Sequence, residues 1–469
     1  MEQFKTQLDQ IDLALKEARF NQARALFFEL AQQKCPREHL LALCQIARRL
    51  NQPYHIVRWL YPVIRPEVTI AQPATDAEKS IFAVGLTRVG AFNEARHILL
   101  DLPNQQADKF FALGLLYIWQ WKYDQAIRPL KKYIHFFEPG HYSYLIGLLN
   151  LTAAYIITDQ IDEGNKSAEI LLSYSGQNQF PLIKANTLEI LAQSSLQQKK
   201  FIEAENYLNE SAQILKSSGS DYELFVHKWK LILKMQRQQV ELSEVDELKS
   251  LAYKKRVFEA VRELDLYQSL ATNDQNAFLK VYSGTRFSGY KKRIKNLFGY
   301  HQSIPRRLIC QFGQKKNSAI FNMQQLSLTP TSEQLLKIIL SDYYRPIQLG
   351  EVFKELYPQE HFNPQTSMPR LYQVFRRLKL ELQQAQAPFK VLWQQKQISW
   401  QPTSDFQLQI EPTEKKIELL KISTSLFSVQ QIMKEFEISK SSAYRLIDEG
   451  LSSEKIRRHG AGLFKKKAG

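Results

Sequence analysis

The stretch Phe111–Gly140, FALGLLYIWQWKYDQAIRPLKKYIHFFEPG, decides the fold. It reads as two short helices around a turn, with small residues at Gly114 and Ala126, apolar Leu113 and Leu130, and aromatics at Tyr117, Tyr123 and Tyr133. Small side chains let two helices cross closely, and bulky ones fill the gap between neighbouring pairs. The core of the phrase is a turn, then an aromatic or apolar residue, then a small residue three positions on. It recurs at Phe20 and Ala23, Phe92 and Ala95, Tyr123 and Ala126, Ile161 and Gly164, and Phe201 and Ala204, with a weaker copy at Pro53 and Ile56. Taking positions 23, 56, 95, 126, 164 and 204 as markers, six helix pairs cover about residues 1–215. Trp119 and Trp121, beside Tyr117 and Tyr123, read as packing between helices rather than as a ligand cage.

These residues resemble the tetratricopeptide repeat, and the spacing of the copies is close to the roughly 34-residue period of that family. The resemblance implies an α-solenoid with a concave face suited to a protein or peptide partner. Residues 216–303 continue as helices without the phrase, Asn273 reading as the N-cap of NDQNAFLKVY. There, Arg286, Lys291, Lys292, Arg293 and Lys295 alternate with Phe287, Tyr290 and Phe298. Such a stretch tracks a phosphate backbone in some proteins and is a solvated helix face in more of them.

The charge is lopsided. Residues 1–250 carry 28 basic and 28 acidic side chains, so the whole net charge of +16 belongs to residues 251–469, with 35 and 19. A neutral half joined to a basic half is the electrostatic footprint of a chain that binds phosphate with one part and does something else with the other. Three cysteines (Cys35, Cys44, Cys310), with no CxxC and no histidine pair near them, argue against a disulfide framework and a zinc site. No apolar signal core and no 18-residue apolar run is present, which predicts a soluble cytoplasmic protein without a membrane span. The sequence lacks a P-loop, GxGxxG, HExxH and GxSxG, so neither an enzyme nor a cofactor is expected.

From Arg307 the pattern changes. RLICQF alternates like a strand; LTPTSEQLLKIILS starts a helix with Thr329 as N-cap and Pro330 in the first turn; then come IQLGEVFKELYP, PQTSMPRLYQVFRRLKLELQQ and the hairpin FKVLWQQKQISWQP. Residues 304–403 resemble the OmpR-type winged-helix effector domain of bacterial response regulators and its relative in Streptomyces antibiotic regulatory proteins, through LTPT, EVFKELYP and VFRRLKLEL. A projection at ~100° per residue puts Leu371, Val374, Phe375, Leu378 and Leu382 on one stripe. Thr366, Arg370, Gln373 and Arg377 fall opposite, with Pro369 able to shift the helix start past Thr366. Arginine and glutamine form paired bonds to guanine and adenine edges, so that face suits a major groove, while Arg376 and Lys379 on its flanks suit phosphates. Glu381, four residues beyond Arg377, offers the competing reading of a surface ion pair.

Residues 413–469 hold a second unit. Val429, Ile432, Met433 and Phe436 stripe one helix, Ile438 plugs the turn, Ser439 caps the next helix, and Ala443, Leu446, Ile447 and Leu451 bury it. ISKSSAYRL resembles the opening of the reading helix in bacterial winged helix-turn-helix regulators, which implies that Lys440, Ser441, Ser442, Tyr444 and Arg445 face DNA. Arg457, Arg458 and Lys465 to Lys467, around the His459–Gly462 turn, read as a basic wing.

The expectation is therefore a mainly α chain. An N-terminal tetratricopeptide-like α-solenoid is followed by two winged helix-turn-helix domains with small β-hairpins. The expected function is a bacterial transcription regulator that binds double-stranded DNA specifically. The alternative is a repeat scaffold whose winged helices bind protein or structured RNA.

Overall fold

The computed structural model describes residues 2–16, 19–67, 72–175, 180–216, 222–299, 308–312, 319–321, 328–387, 389–402, 406–410, 422, 424–436, 440–452, 456–460 and 462–466. Helix pairs dominate the first half: α1 (Glu2–Lys16) and α2 (Phe20–Leu30), α3 (Leu40–Arg49) and α4 (Pro53–Ile64), α5 (Asp76–Val89) and α6 (Phe92–Asp101). They continue with α7 (Ala107–Trp119) and α8 (Tyr123–Ile134), α9 (Tyr142–Ile157) and α10 (Ile161–Ser175), α11 (Pro181–Gln197) and α12 (Phe201–Lys216). Each marker of the sequence phrase falls one turn into the second helix of its pair. Ala23, Ile56, Ala95, Ala126 and Ala204 are all fully buried there. The array is an α-solenoid of stacked pairs.

A common turn explains why the pairs stack alike. Asn51, Gly90, Trp121, Asp159 and Lys199 each adopt a left-handed backbone at the end of a first helix. The amide of the very next residue then closes back across the helix end: Gln52 N–H donates to Ala47 O (2.7 Å), Lys122 to Tyr117 (2.9 Å), Gln160 to Tyr155 (2.9 Å) and Lys200 to Ser195 (2.8 Å). This closure satisfies carbonyls that a helix end leaves orphaned. The same turn recurs beyond the phrase, at Gln238 between α13 (Glu223–Gln236) and α14 (Leu242–Lys254), and at Asn273 between α15 (Phe258–Ala271) and α16 (Gln275–Ser283). Asn273 is thus the left-handed turn residue rather than the N-cap. The cap is Asp274, whose carboxylate accepts from Ala277 N–H at 3.0 Å. A last helix, α17 (Ser288–Phe298), returns to the α7–α8 turn, where Trp121 meets Tyr290 edge-on at 4.7 Å.

Strands β1 (Leu308–Phe312) and β2 (Ala319–Phe321) pair antiparallel and share a sheet with β6 (Phe406–Ile410), in the order β2-β1-β6. Between them lies a middle unit of α18 (Pro330–Ile339), β3 (Ile347–Gln348), α19 (Leu349–Leu356), α20 (Pro364–Gln384) and the hairpin β4 (Phe389–Gln394) and β5 (Gln397–Pro402), with sheet order β3-β5-β4. The middle unit and the helix pairs form one compact body, residues 1–301 with 310–408. Its first core runs without interruption from Leu60, Leu86 and Val89 to Leu349, Phe353 and Leu378.

Residues 302–309 and 409–469 form a second compact unit. It contains β7 (Leu426–Ser428), α21 (Val429–Phe436), α22 (Lys440–Ser452), β8 (Ile456–Arg458) and β9 (Leu463–Lys466), with sheet order β7-β9-β8. Ile432, Ala443, Ile447, Ile456 and Phe464 make its core. Ile438 and Ser439, the segment 411–421 and Lys467 lie outside the described residues.

Candidate nucleic-acid interface

Helix α20 starts where its local chemistry dictates. Asn363 caps it by accepting from Gln365 N–H (3.0 Å), Ser367 Oγ accepts in return from Asn363 N–H (3.0 Å), and Pro364 occupies the first position. Pro369 therefore does not set the helix start, and Thr366 lies in the first turn. Leu371, Val374, Phe375, Leu378 and Leu382 are buried, and Thr366, Arg370, Gln373, Arg376, Arg377 and Lys379 are exposed. The two arginines of the outward face differ. Arg370 is bonded to both carboxylate oxygens of Glu360 (2.8 and 2.6 Å) and lies 3.6 Å over the Tyr357 ring, and the Glu360 bond raises its pKa. Arg377 makes no ion pair among the described residues, Glu381 included.

The hairpin tip is not open to solvent in the same way. Tyr54, at the start of α4, donates its hydroxyl to Lys396 O (2.9 Å) while the Lys396 ammonium sits 4.6 Å over the Tyr54 ring. Arg256 bonds the Gln397 side chain. The chain entering α20 is held too: Glu94 of α6 accepts from Phe362 N–H (3.1 Å), and Tyr54 meets the Phe362 ring edge-on at 6.3 Å. Two glycines allow the close approach. A Cβ on Gly90 would stand 2.6 Å from Glu351 Cβ, and one on Gly350 would stand 2.5 Å from Val89 O.

The basic stretch 286–298 lands elsewhere than on a phosphate track. Arg286 pairs with Glu351 of α19, and burial lowers its pKa to about 10. Arg293 is buried against Glu263, which also meets Lys228 at 3.4 Å. Burial pushes the Glu263 carboxyl up, but Arg293 and Lys228 outweigh it and hold it at about 2. Arg262, fully buried, donates to Thr285 (2.9 Å) and reaches Asp342 of the middle unit at 3.8 Å. Tyr344 donates to Asp265 at 2.8 Å. Arg286, Arg262 and Asp265 thus bind the array to the middle unit, while Arg293, Glu263 and Lys228 tie α17, α15 and α13 together. Of the cations of the stretch, only Lys292 and Lys295 are exposed. Nothing in the sequence stretch itself separated its cations, because the partner of Arg293 lies 30 residues away and that of Arg286 lies on α19.

In the second unit, Lys440 and Tyr444 are exposed on α22, which also carries Ser441, Ser442 and Arg445, whose side chains lie outside the described residues. Arg457 and Arg458 are exposed on β8, and Arg457 stands directly opposite half-buried Lys465 of β9. Like charges facing each other across a hairpin destabilise it, and an anion laid over both removes the penalty.

No family model matches the chain, and no curated protein matches it. Solved structures overlap part of the chain loosely. A Rap protein complexed with Competence and Sporulation Factor is 11% identical, with 63% of this chain and 89% of that chain covered and a TM-score of 0.44. Aspartyl phosphate phosphatase F from Bacillus subtilis is 13% identical over 63% and 85%, with a TM-score of 0.38. The Rap conjugation gene regulator of plasmid pLS20 in complex with the Phr* peptide is 11% identical over 64% and 98%, with a TM-score of 0.33.

Proposed function

We propose that this chain is a helical-repeat regulator that docks on double-stranded DNA through its middle and C-terminal units, each read as a winged helix-turn-helix. The observation that carries the reading is α20. One side is fully committed to the core, and the other presents Thr366, Gln373 and Arg377 in the open with Arg376 and Lys379 on the flanks. A helix with base-reading donors along its outer face and phosphate-binding cations beside them is what major-groove recognition requires. The facing Arg457 and Lys465 extend the reading to the second unit as a phosphate contact.

A second reading, a scaffold whose middle unit binds protein, draws on the hairpin. Its tip is used to hold Tyr54 and Arg256 rather than left free. The full chain separates the two in one titration against duplex DNA, duplex RNA and genomic fragments across a salt series. The regulator predicts steep salt dependence and enrichment of particular genomic sites. Absence of duplex binding at low salt leaves the protein-binding reading.

A further inference from the structure

We infer that the array is an inhibitor of its own middle unit: α4 and the α14–α15 turn clasp the hairpin tip and close the space that a duplex needs between that tip and α20. The inference rests on reading the middle unit as a winged helix. In such a unit the reading helix enters the groove while the wing reaches the neighbouring backbone, so both must be open at once.

Only one is open. The outer face of α20 is exposed, yet Tyr54 touches the hairpin turn through Lys396 and the entry to α20 through Phe362. One side chain of the array thus stands at both edges of the gap. Lys396, the cation at the wing tip, spends its charge on the Tyr54 ring. Arg256 fixes the next residue, Gln397, from the other side, and it projects from a left-handed turn position that holds it outside the helices. Glu94, itself buried and paired with Arg65, adds an acceptor for Phe362 N–H.

The clasp is a built contact. Gly90 lies against Glu351 and Gly350 against the Val89 backbone at distances a side chain would forbid, Arg286 pairs with Glu351 beside them, and one apolar core crosses the junction. It is also polar enough to open. Its contacts at the hairpin tip are hydrogen bonds and a cation over a ring, each of modest net strength in water. A two-state protein whose binding-competent form is a minor fraction loses affinity by that fraction and regains it when the other form is weakened. A partner seated on the array near α4 would act in this way.

The test uses the full chain in two undocking forms. Tyr54→Phe combined with Arg256→Ala removes both hydrogen bonds to the hairpin tip from the array side and keeps the ring that packs on Phe362 and carries the Lys396 ammonium. Gly350→Ala drives the junction apart sterically. Circular dichroism checks that both remain folded. Hydrogen exchange then reads the dock without DNA, and titration with a duplex pool at fixed salt reads affinity. Faster exchange at residues 394–398 and in the first turn of α4, together with at least tenfold tighter duplex binding, is the expected result. Faster exchange with unchanged affinity overturns the inhibition while leaving the DNA reading in place. Unchanged exchange in both forms overturns the clasp. Duplex binding by neither wild type nor released forms removes the DNA reading and the inhibition with it, whatever the exchange shows.

Discussion

Residues 286–298 and 370–379 both set lysines and arginines among aromatic residues on a helix of the basic half. In α17, Arg293 is buried against Glu263, and just ahead of the helix Arg286 is paired with Glu351. In α20, Arg376, Arg377 and Lys379 stand in solvent. The difference lies in how many sides of the helix are packed. Helix α20 has one apolar stripe with its cations opposite, whereas α17 is wedged between α15 and the α7–α8 turn, with Tyr290 and Ile294 buried beside Arg293. A cation next to the buried stripe of a doubly packed helix becomes a structural ion. The same cation opposite a single stripe remains available for a partner.

That contrast is easiest to break at Arg293. Arg293→Ala leaves Glu263 buried without its main partner, and losing one member of a buried pair costs ~3–5 kcal/mol. Urea unfolding of the full chain measures it, and the folded fraction should bind duplex DNA as wild type does. Arg377→Ala should do the reverse. Stability stays within ~0.5 kcal/mol of wild type, while specific duplex affinity falls by ~1–3 kcal/mol with relaxed sequence preference. An equal loss on all sequences would make Arg377 a phosphate contact instead.

Arg370→Ala should cost less affinity than Arg377→Ala, since Arg370 must first leave Glu360, an exposed pair worth ~0.2–1 kcal/mol. Glu360→Gln should then tighten binding by a similar amount in the same titration. A further test concerns acid. Burial, then Lys396 and Arg58, lower the pKa of His55 to about 4 from its usual 6.5. Between those values the unfolded chain takes up a proton that the folded one refuses, so stability is retained above pH 6.5 and declines as pH falls towards 4. Unfolding midpoints from pH 7 to 4 should show this decline, and Lys396→Ala should make it shallower by removing one of the two cations.

Much of the array could be read from residue types. An aromatic or apolar residue opening a helix, followed by a small residue one turn in, located six pairs, and Ala23, Ala95, Ala126 and Ala204 are buried as that spacing demands. Helices α13 to α16 were legible as helices but not as further repeat pairs, because backbone closure without the residue phrase sets their turns. Gln238 and Asn273 adopt the left-handed conformation that Asp159 and Lys199 adopt, and no shared residue type advertises it. The outer face of α20 was legible for the same reason as the array, since helical periodicity separates buried from exposed positions within one element. The partner of Arg370 was not, because Glu360 lies beyond the helix start and the intervening turn brings it back.

The sequence by itself determined the helix pairs, the buried stripe of α20 and the segregation of charge into residues 251–469, because each depends on periodicity or composition within a short window. Only the tertiary structure decided which of those charges are structural and that the hairpin tip is clasped. Those outcomes depend on Tyr54 meeting Lys396 and Arg256 meeting Gln397, pairs separated by 342 and 141 positions. Contacts of that range follow from how the middle unit packs back against the array, which no local pattern encodes.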